Sequence, residues 1–321
     1  MKKAFAFAAV LAAVVAVCAL PLVAQNAPPA AGQRPANAAR PPAQGGTGPI
    51  KMLLITKAHP YEREPFYQMF DSFGQDVTWM HVDQPAAEAL LNPKYSALYN
   101  VAVFYDMDGQ QVELGRAVRD EATREVTAQP PSAELQKNFQ ALLQQGKGLF
   151  FLHHAVASWV HSWPEYVEVM GSACDWGAPI TIRGVHHPQS GFFGMTPQHI
   201  TVVDKNHPIT QGIGDGLDVI DEAYSCPVFE DSVHPLLRTD FVPADHNRNL
   251  APNWKYSNVV GWVKTAENSP VAYIQMGHGP AVWANPTYRK LVLNAIKWTA
   301  SPEALAWAKA NPTRIFKAQT N

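Results

Sequence analysis

Short apolar runs alternate along this chain with segments whose apolar residues recur at helical spacing. A short apolar run bounded by glycine or polar residues is typical of a strand that is buried on both faces. Between the runs, apolar residues share one helical face, as Phe66, Met69, Phe70 and Phe73 do. The predicted strands are Ile50–Thr56, Asp76–Val82, Asn100–Tyr105 and Leu149–Leu152, and the predicted helices are Glu64–Phe73, Ala86–Leu91 and Ser132–Gln145.

The order of these elements predicts an α/β fold. Strand and helix alternate four times, which favours a doubly wound, mostly parallel sheet with helices on both faces and right-handed crossovers. After Trp163 the pattern loosens, and the segment Ser172–Pro197 is rich in glycine, proline, histidine and aromatic residues, so we expect long loop insertions there. Shorter strands and a final helix are predicted at His199–Val203, Leu217–Ile220, Leu236–Thr239, Val259–Lys264, Val271–Gln275 and Pro286–Thr299.

The two ends of the chain differ from its middle. Lys2 and Lys3 precede an uncharged apolar stretch, and Ala24 offers a small residue for cleavage, which together indicate an export signal. An uncleaved membrane anchor is the alternative that the apolar length permits. The next segment is rich in alanine, proline, glycine and glutamine without apolar periodicity, which predicts a disordered linker. We therefore predict an exported protein, periplasmic or secreted, with a signal peptide at 1–24, a linker at 25–49, one folded domain at 50–300 and a helical tail at 301–321.

Charge and cysteine content narrow the classes of partner. The 321-residue chain has a formal charge of −2 and no basic run after its first three residues, so it lacks the electrostatic surface that nucleic-acid binding requires. We expect no membrane contact beyond the export signal, and a homo-oligomer is left open.

Cys174 and Cys226 remain after signal cleavage. In an oxidising compartment they either form a disulfide or stay as buried free thiols, and the spacing alone does not decide between these states.

Polar side chains stand where the predicted strands end. In a parallel sheet the carboxyl ends of the strands lie at one edge, and ligands bind there. Groups that are distant in sequence should therefore converge at this edge. The flanking glycines of Gly277-His278-Gly279 would let the backbone approach closely. The polar residues at or after strand ends are His59, Asp106, His153, His154, Glu222 and His278.

Compact metal and nucleophile motifs are absent from the sequence. There is no HExxH, no paired CxxC, no phosphate-binding loop and no GxSxG. No cofactor is therefore assigned with certainty. A divalent transition metal held by dispersed residues stays open, because imidazole is a ligand for Zn, Cu, Fe or Ni. The candidate ligands are His59, His153, His278 and Glu222.

Four motifs, in the same order along residues 50–300, resemble the ThuA-like (trehalose utilisation) family. These proteins are related to the class I glutamine amidotransferases, and the resemblance implies a flavodoxin-like sheet. In amidotransferases the strand-to-helix elbow carries a nucleophilic cysteine, whereas this chain has His153 and His154 there. Glutamine hydrolysis through a thiolate is therefore not expected. The motifs are Gly148–Ala155, His207–Thr210, Asp221–Tyr224, and Gly277–Gly279 with Trp283, Pro286, Tyr288 and Arg289.

The resemblance implies an enzyme that acts on a small-molecule carbohydrate. ThuA-like proteins are associated with the use of disaccharides and other glycosides, including steps on 3-keto sugars. An isomerase or lyase acting next to a carbonyl needs a base and a group that holds the developing oxyanion, and histidine suits both tasks. The alternatives are a metal-dependent hydrolase with the same residues and a carbohydrate-binding module without activity. The predicted catalytic residues are His153, His154, Glu222 and His278, and the predicted substrate-binding residues are His59, Asp106, Tyr224 and Trp283.

Overall fold

The computed structural model describes residues 44–57, 59–109, 117–243 and 256–316. The predicted signal peptide and most of the predicted linker lie outside the described residues. The strands are β1 (Gln44–Gly46), β2 (Ile50–Lys57), β3 (Val77–Asp83), β4 (Val101–Asp106), β5 (Ala117–Arg119), β6 (Val126–Ala128), β7 (Gly148–Leu152), β8 (Ile180–Ile182), β9 (Val185–His187), β10 (Gly191–Val202), β11 (Gly216–Ser225), β12 (His234–Thr239), β13 (Val259–Ala266) and β14 (Ser269–Ile274). The α-helices are α1 (Arg63–Asp71), α2 (Ala133–Gln145), α3 (Pro164–Met170), α4 (Pro280–Ala284), α5 (Pro286–Thr299) and α6 (Pro302–Ala310).

Ten of these strands form one sheet, in the order β1-β3-β2-β4-β7-β14-β13-β12-β10-β11. The five strands from β3 to β14 in this order run parallel to one another. The predicted doubly wound fold is therefore confirmed. Beyond β14 the sheet continues with antiparallel strands, and β10 and β11 form its far edge as a long hairpin.

Both faces of the parallel strands are covered by helices, as their continuous apolar runs predict. Along β2, Leu54 belongs to an apolar layer with residues of α1, α4 and α5. Its neighbour Leu53 belongs to a second layer, with residues of α2 and α3. Both leucines have no exposed surface. Because successive side chains of a strand point to opposite faces, this division follows directly from the strand geometry.

Local capping sets the ends of the helices. Ser132 accepts a hydrogen bond from the Leu135 amide and begins α2, as its position in the sequence predicts. Gly146 ends the same helix in a left-handed conformation, with φ at +87°. Asn285 caps α5, and Pro286 occupies the first helical position, where no amide hydrogen is needed. The C-terminal tail contains α6, in agreement with its predicted helical character.

Three predicted boundaries are corrected by the structure. The linker was placed up to residue 49, but Gln44–Gly46 pairs with β3 through backbone hydrogen bonds, which need no apolar pattern. The predicted loop region Ser172–Pro197 contains β8, β9 and the first half of β10. The strand predicted to end at Ile220 continues as β11 to Ser225. The prediction ended too early because both faces of the strand are buried beyond Ile220, so the alternation of buried and exposed residues disappears there.

Cys174 and Cys226 form a disulfide, which resolves the alternative that the sequence left open. The bond joins the segment after α3 to the end of β11. No helix in the described residues combines the length and the apolar character needed to cross a membrane.

Candidate functional site

The candidate site lies at the carboxyl edge of the parallel strands. His59 follows β2, His153 follows β7, and His278 follows β14. The end of the β10–β11 hairpin reaches the same place and supplies Glu222 and Tyr224, which are alternate residues of β11 and so point to one face. The sequence predicted this convergence, and the structure brings these five residues together.

The elbow after β7 is made by His153. Its backbone has φ at +57°, a left-handed conformation that costs a residue other than glycine about 1–2 kcal/mol. Nδ1 of the ring lies 2.8 Å from the carbonyl oxygen of Gln275, so Nδ1 carries the hydrogen and donates it. The His153 carbonyl accepts a hydrogen bond from the Tyr273 hydroxyl at 2.9 Å. These contacts fix the ring so that Nε2 faces β11.

Glu222 is the centre of the side-chain network. The Tyr224 hydroxyl donates to Oε2 at 2.7 Å, and Nε2 of His153 lies 3.2 Å from the same oxygen. On the other side, Nδ1 of His278 lies 2.9 Å from Oε1. Burial alone would raise the pKa of Glu222, but hydrogen bonds from His153 and Tyr224 and the charges of His153 and His278 outweigh it and hold this pKa below its ordinary value. Glu222 is therefore a carboxylate at neutral pH.

His59 and His278 form the more accessible side of the network. The His278 side chain is 31% exposed, whereas the Glu222 side chain is only 7% exposed. Nδ1 of His59 is buried and has no hydrogen-bond partner among the described residues, and Nδ1 of His278 lies beside Glu222 without the alignment of a hydrogen bond. Burial lowers the pKa of His59, and the nearby His153 and His278 lower it further against the opposing charge of Glu222, so the His59 ring is neutral at pH 7.

These residues fit a metal ion. One ring nitrogen each of His59 and His278 and one carboxylate oxygen of Glu222 lie within 4.8 Å of one another. Two imidazoles and a carboxylate bind transition metals at about 2.0–2.2 Å, so a modest contraction would place all three around one ion. The predicted ligand His153 is not part of this set, because both of its ring nitrogens face protein partners.

A buried carboxylate holds the loop that carries His278. Asp221 accepts hydrogen bonds from the backbone amides of Gly277, at 2.6 Å, and of His278, at 3.1 Å. The backbone of Gly277 has φ at +151°, and a Cβ at this position would lie 2.9 Å from the Tyr288 hydroxyl and 3.1 Å from Cβ of His153. Only glycine therefore fits where the loop passes the elbow.

His154 lies beneath the site and not at its surface. Its ring is 1% exposed and packs between the rings of His59 and Tyr105, at centroid distances of 4.5 and 4.3 Å. Burial lowers its pKa far below the ordinary value, and the neighbouring histidines add to this effect, so His154 is neutral. In the structure, this predicted catalytic residue packs behind the His59 ring.

Two predicted substrate-binding residues, Asp106 and Trp283, are also buried. Trp283 has no exposed surface, and its indole donates to the Gly277 carbonyl at 2.8 Å, so it supports the loop. Asp106 is 1% exposed at the end of β4. Burial, with the charge of Asp108, raises the pKa of Asp106 to about 7. Neither side chain contacts the accessible side of the site.

The sequence did not reveal which residues fix the loop and the elbow. Asp221 stood next to Glu222 in a quoted motif, but no local pattern marks it as the acceptor for an amide 56 residues away. Gln275, which accepts from His153, ends a predicted strand as an ordinary polar residue. Such contacts depend on how separate strands are placed, and a one-dimensional pattern does not contain that information.

Together, the sheet and its edge define a doubly wound α/β protein with a cluster of histidines and a glutamate where the parallel strands end. A family model described as trehalose utilisation, ThuA, matches residues 53–299. The chain therefore belongs to the ThuA family, and the resemblance noted in the sequence is confirmed. No curated protein matches the chain.

Two solved structures have the same fold. A ThuA-like protein from Parabacteroides merdae is 16% identical, with a TM-score of 0.55, and the match covers 79% of this chain and 90% of that one. A ThuA-like protein from Bacteroides uniformis is 18% identical, with a TM-score of 0.51, and the match covers 83% of this chain and 95% of that one. At these identities the comparison shows the fold alone.

Proposed function

We propose that this ThuA family member is an exported enzyme that processes keto-glycosides or disaccharides by acid/base chemistry of histidine and glutamate. One observation carries the proposal: the ionised Glu222 is fixed on its buried side by His153 and Tyr224 and faces the partly exposed His278 on the other side. The family description, trehalose utilisation, supports a carbohydrate as the substrate class. A module that only binds sugar has no need for such a buried ionisable network, which is costly to desolvate.

His278 is the group best placed to exchange a proton with the substrate. Its Nδ1 lies 2.9 Å from Oε1 of Glu222, and no described residue hydrogen-bonds its Nε2, on the more accessible side of the network. Nε2 can therefore take the proton from a carbon next to a carbonyl. His153 has no exposed surface and acts on the reaction only through Glu222. The His153 role inferred from the sequence thus becomes one of positioning.

The metal-dependent alternative has its own support in the two Nδ1 atoms of His59 and His278. Both are buried without a hydrogen-bond partner among the described residues, and one ring nitrogen of each histidine lies within 4.8 Å of a carboxylate oxygen of Glu222. A divalent ion would satisfy all three groups at once, and when bound it would polarise a substrate oxygen as a Lewis acid. In that case Tyr224 and His153 orient Glu222 as a ligand.

Substitution of His278 tests the acid/base proposal. With 3-keto-trehalose as the probe, His278→Ala should lower kcat/KM by about 100-fold or more, because a positioned acid/base group contributes roughly 10²–10⁴ to the rate. The matched control is His199→Ala, which removes an exposed histidine paired with Asp218 outside the site, and it should leave kcat/KM within about twofold. Full turnover by the folded His278→Ala variant would overturn the assignment.

Elemental analysis distinguishes the two forms of the proposal. Protein purified without chelator should contain close to one equivalent of a transition metal if the three-residue site is occupied, and His59→Ala should lose it. A content under roughly a tenth of an equivalent, with turnover unaffected by chelation, would leave the metal-free acid/base mechanism.

Export is proposed on two grounds. The apolar N-terminal stretch has the form of a signal peptide, and the Cys174–Cys226 disulfide is a bond that persists in oxidising compartments. Fractionation of the native host should place the protein outside the cytoplasm, with its N-terminus shortened by about 24 residues. Recovery of the full-length chain in the cytoplasm would contradict the proposal.

A further inference from the structure

Three aromatic rings extend from the candidate site to the surface. The Tyr224 hydroxyl belongs to the Glu222 network, and the Tyr224 ring lies 4.6 Å from that of Trp176 and 6.2 Å from that of Phe192, centroid to centroid. The rings of Tyr224 and Phe192 are stacked, with 27° between their planes. We call Trp176, Phe192 and Tyr224 the aromatic wall. Neither Trp176 nor Phe192 was singled out by the sequence.

The wall and the candidate site share one face of the β10–β11 hairpin. Phe192 stands directly opposite Tyr224 in the antiparallel pairing, and side chains of directly opposed residues lie on the same side. Glu222 is two residues from Tyr224 on β11 and also lies on this side. A ligand seated at Glu222 therefore meets Phe192 as it extends along the hairpin.

The exposure of the wall changes along its length. Tyr224 is 5% exposed, Trp176 is partly exposed, and Phe192 is 42% exposed. A large aromatic side chain left open to water beside an ionisable site is a feature of ligand-binding surfaces. The flat apolar faces of such rings complement the C–H faces of a pyranose ring, whose hydroxyl groups stay free for polar contacts.

The loop that carries Trp176 is tied to the end of β11, which carries Tyr224. Cys174 lies two residues before Trp176, and Cys226 lies two residues after Tyr224, so their disulfide joins the two segments that carry these rings. Asp175 fixes the Trp176 loop, because its Oδ1 accepts hydrogen bonds from the amides of Gly177 and Ala178 at 2.6 and 2.9 Å. A prearranged surface loses little conformational entropy on binding.

We infer that the aromatic wall is the subsite for the second sugar ring of a disaccharide whose first ring occupies the Glu222–His278 site. This inference rests on the proposed function and specifies its substrate as a glycoside and not a free monosaccharide. Phe192 is the residue that discriminates between the two, because it is the part of the wall furthest from the buried network and most open to a ligand.

Calorimetric titration with trehalose, 3-keto-trehalose and glucose tests the inference. The native protein should bind a disaccharide more tightly than glucose, and Phe192→Ala should weaken disaccharide binding roughly 5- to 30-fold while glucose affinity stays within about twofold. Phe192→Trp keeps an aromatic face and should retain the preference. Val203→Ala is the matched control, since Val203 is 47% exposed but follows the other end of β10 from Phe192, and it should change neither affinity.

Several outcomes would overturn the inference. They are a native protein that binds both disaccharides no better than glucose, a Phe192→Ala variant that keeps the preference, and equal weakening for all three sugars. Failure of the proposed chemistry is a separate result, because His278→Ala removes turnover without touching the wall. A protein that keeps turnover in His278→Ala but loses the disaccharide preference in Phe192→Ala would retain the subsite and lose the acid/base assignment.

Discussion

Replacing Asp221 with alanine is the sharpest test of how the His278 loop is held. The substitution removes the acceptor for two amides, the buried amide of Gly277 and the partly buried amide of His278. A buried amide left without a partner costs about 1–3 kcal/mol, so the two together cost about 2–6 kcal/mol. Burial also raises the pKa of Asp221, because desolvation disfavours its charged form. Removing the carboxylate also removes this desolvation penalty, which offsets part of the lost hydrogen-bond energy. We therefore expect a loss of about 2–4 kcal/mol in the free energy of unfolding.

Urea denaturation followed by tryptophan fluorescence measures this loss. Asp218→Ala is the matched control, because Asp218 lies on the same strand with its side chain 88% exposed, and it should change the free energy of unfolding by under about 0.5 kcal/mol. Asp221→Asn keeps one acceptor oxygen and should fall between the two. If Asp221→Ala were as stable as the Asp218 control, the loop would not depend on this carboxylate, and the argument would fail.

Three further predictions concern the groups around the site. Burial raises the pKa of Asp106 to about 7 from 3.8, so between these pH values the native state binds a proton that the unfolded chain has lost. The free energy of unfolding should therefore fall by up to about 1.4 kcal/mol per pH unit as pH rises from 4 to 7. Asp106→Asn should remove this slope in urea titrations at pH 5 and 7. Reduction should lower the stability by up to about 4 kcal/mol, since the disulfide spans 52 residues, whereas a Cys174→Ser/Cys226→Ser variant should not respond to reductant. Gly277→Ala should destabilise by about 1–3 kcal/mol through its contact with Tyr288 and lower turnover, and wild-type values for both would contradict the close approach at the elbow.

The sequence predicted the parallel strands and the edge at which they meet, because continuous apolar runs and strand–helix alternation are local properties. It placed His59, His153 and His278 at strand ends, and the rule that parallel strands share a carboxyl edge brought them together. The sequence could not show which of these three histidines is most exposed to solvent. Which of two adjacent buried histidines contacts Glu222 depends on the left-handed conformation of His153, and which carboxylate binds a backbone amide depends on contacts between distant strands.

The edge strand Gln44–Gly46 and the end of β11 were missed for different reasons. The first pairs only through its backbone, and its glycines fit beneath Trp79, where a Cβ on Gly45 would lie 2.8 Å from the indole nitrogen. The end of β11 loses the alternation of buried and exposed residues, because the candidate site covers the face that is exposed earlier in the strand. Glu222 and Tyr224 are therefore buried together with the residues between and beside them. Because the period-two pattern is lost where the candidate site buries both faces, the sequence did not predict this part of β11 as a strand.

The elbow after β7 places His153 where it contacts Glu222 and leaves it without exposed surface. A thiol nucleophile at this position would have to face the substrate, but His153 has no exposed surface and directs one nitrogen to the Gln275 carbonyl and the other to Glu222 and Tyr224. The two cysteines in the described residues are joined to each other, so neither offers a thiolate. The elbow therefore holds His153 against Glu222, and the proposed reactive group is His278, on a loop whose amides are bound by the second carboxylate, Asp221. In this proposal activity depends on two carboxylates from adjacent positions of one strand: substitution of Glu222 should lower turnover with little loss of stability, whereas substitution of Asp221, which holds the His278 loop, should lower both.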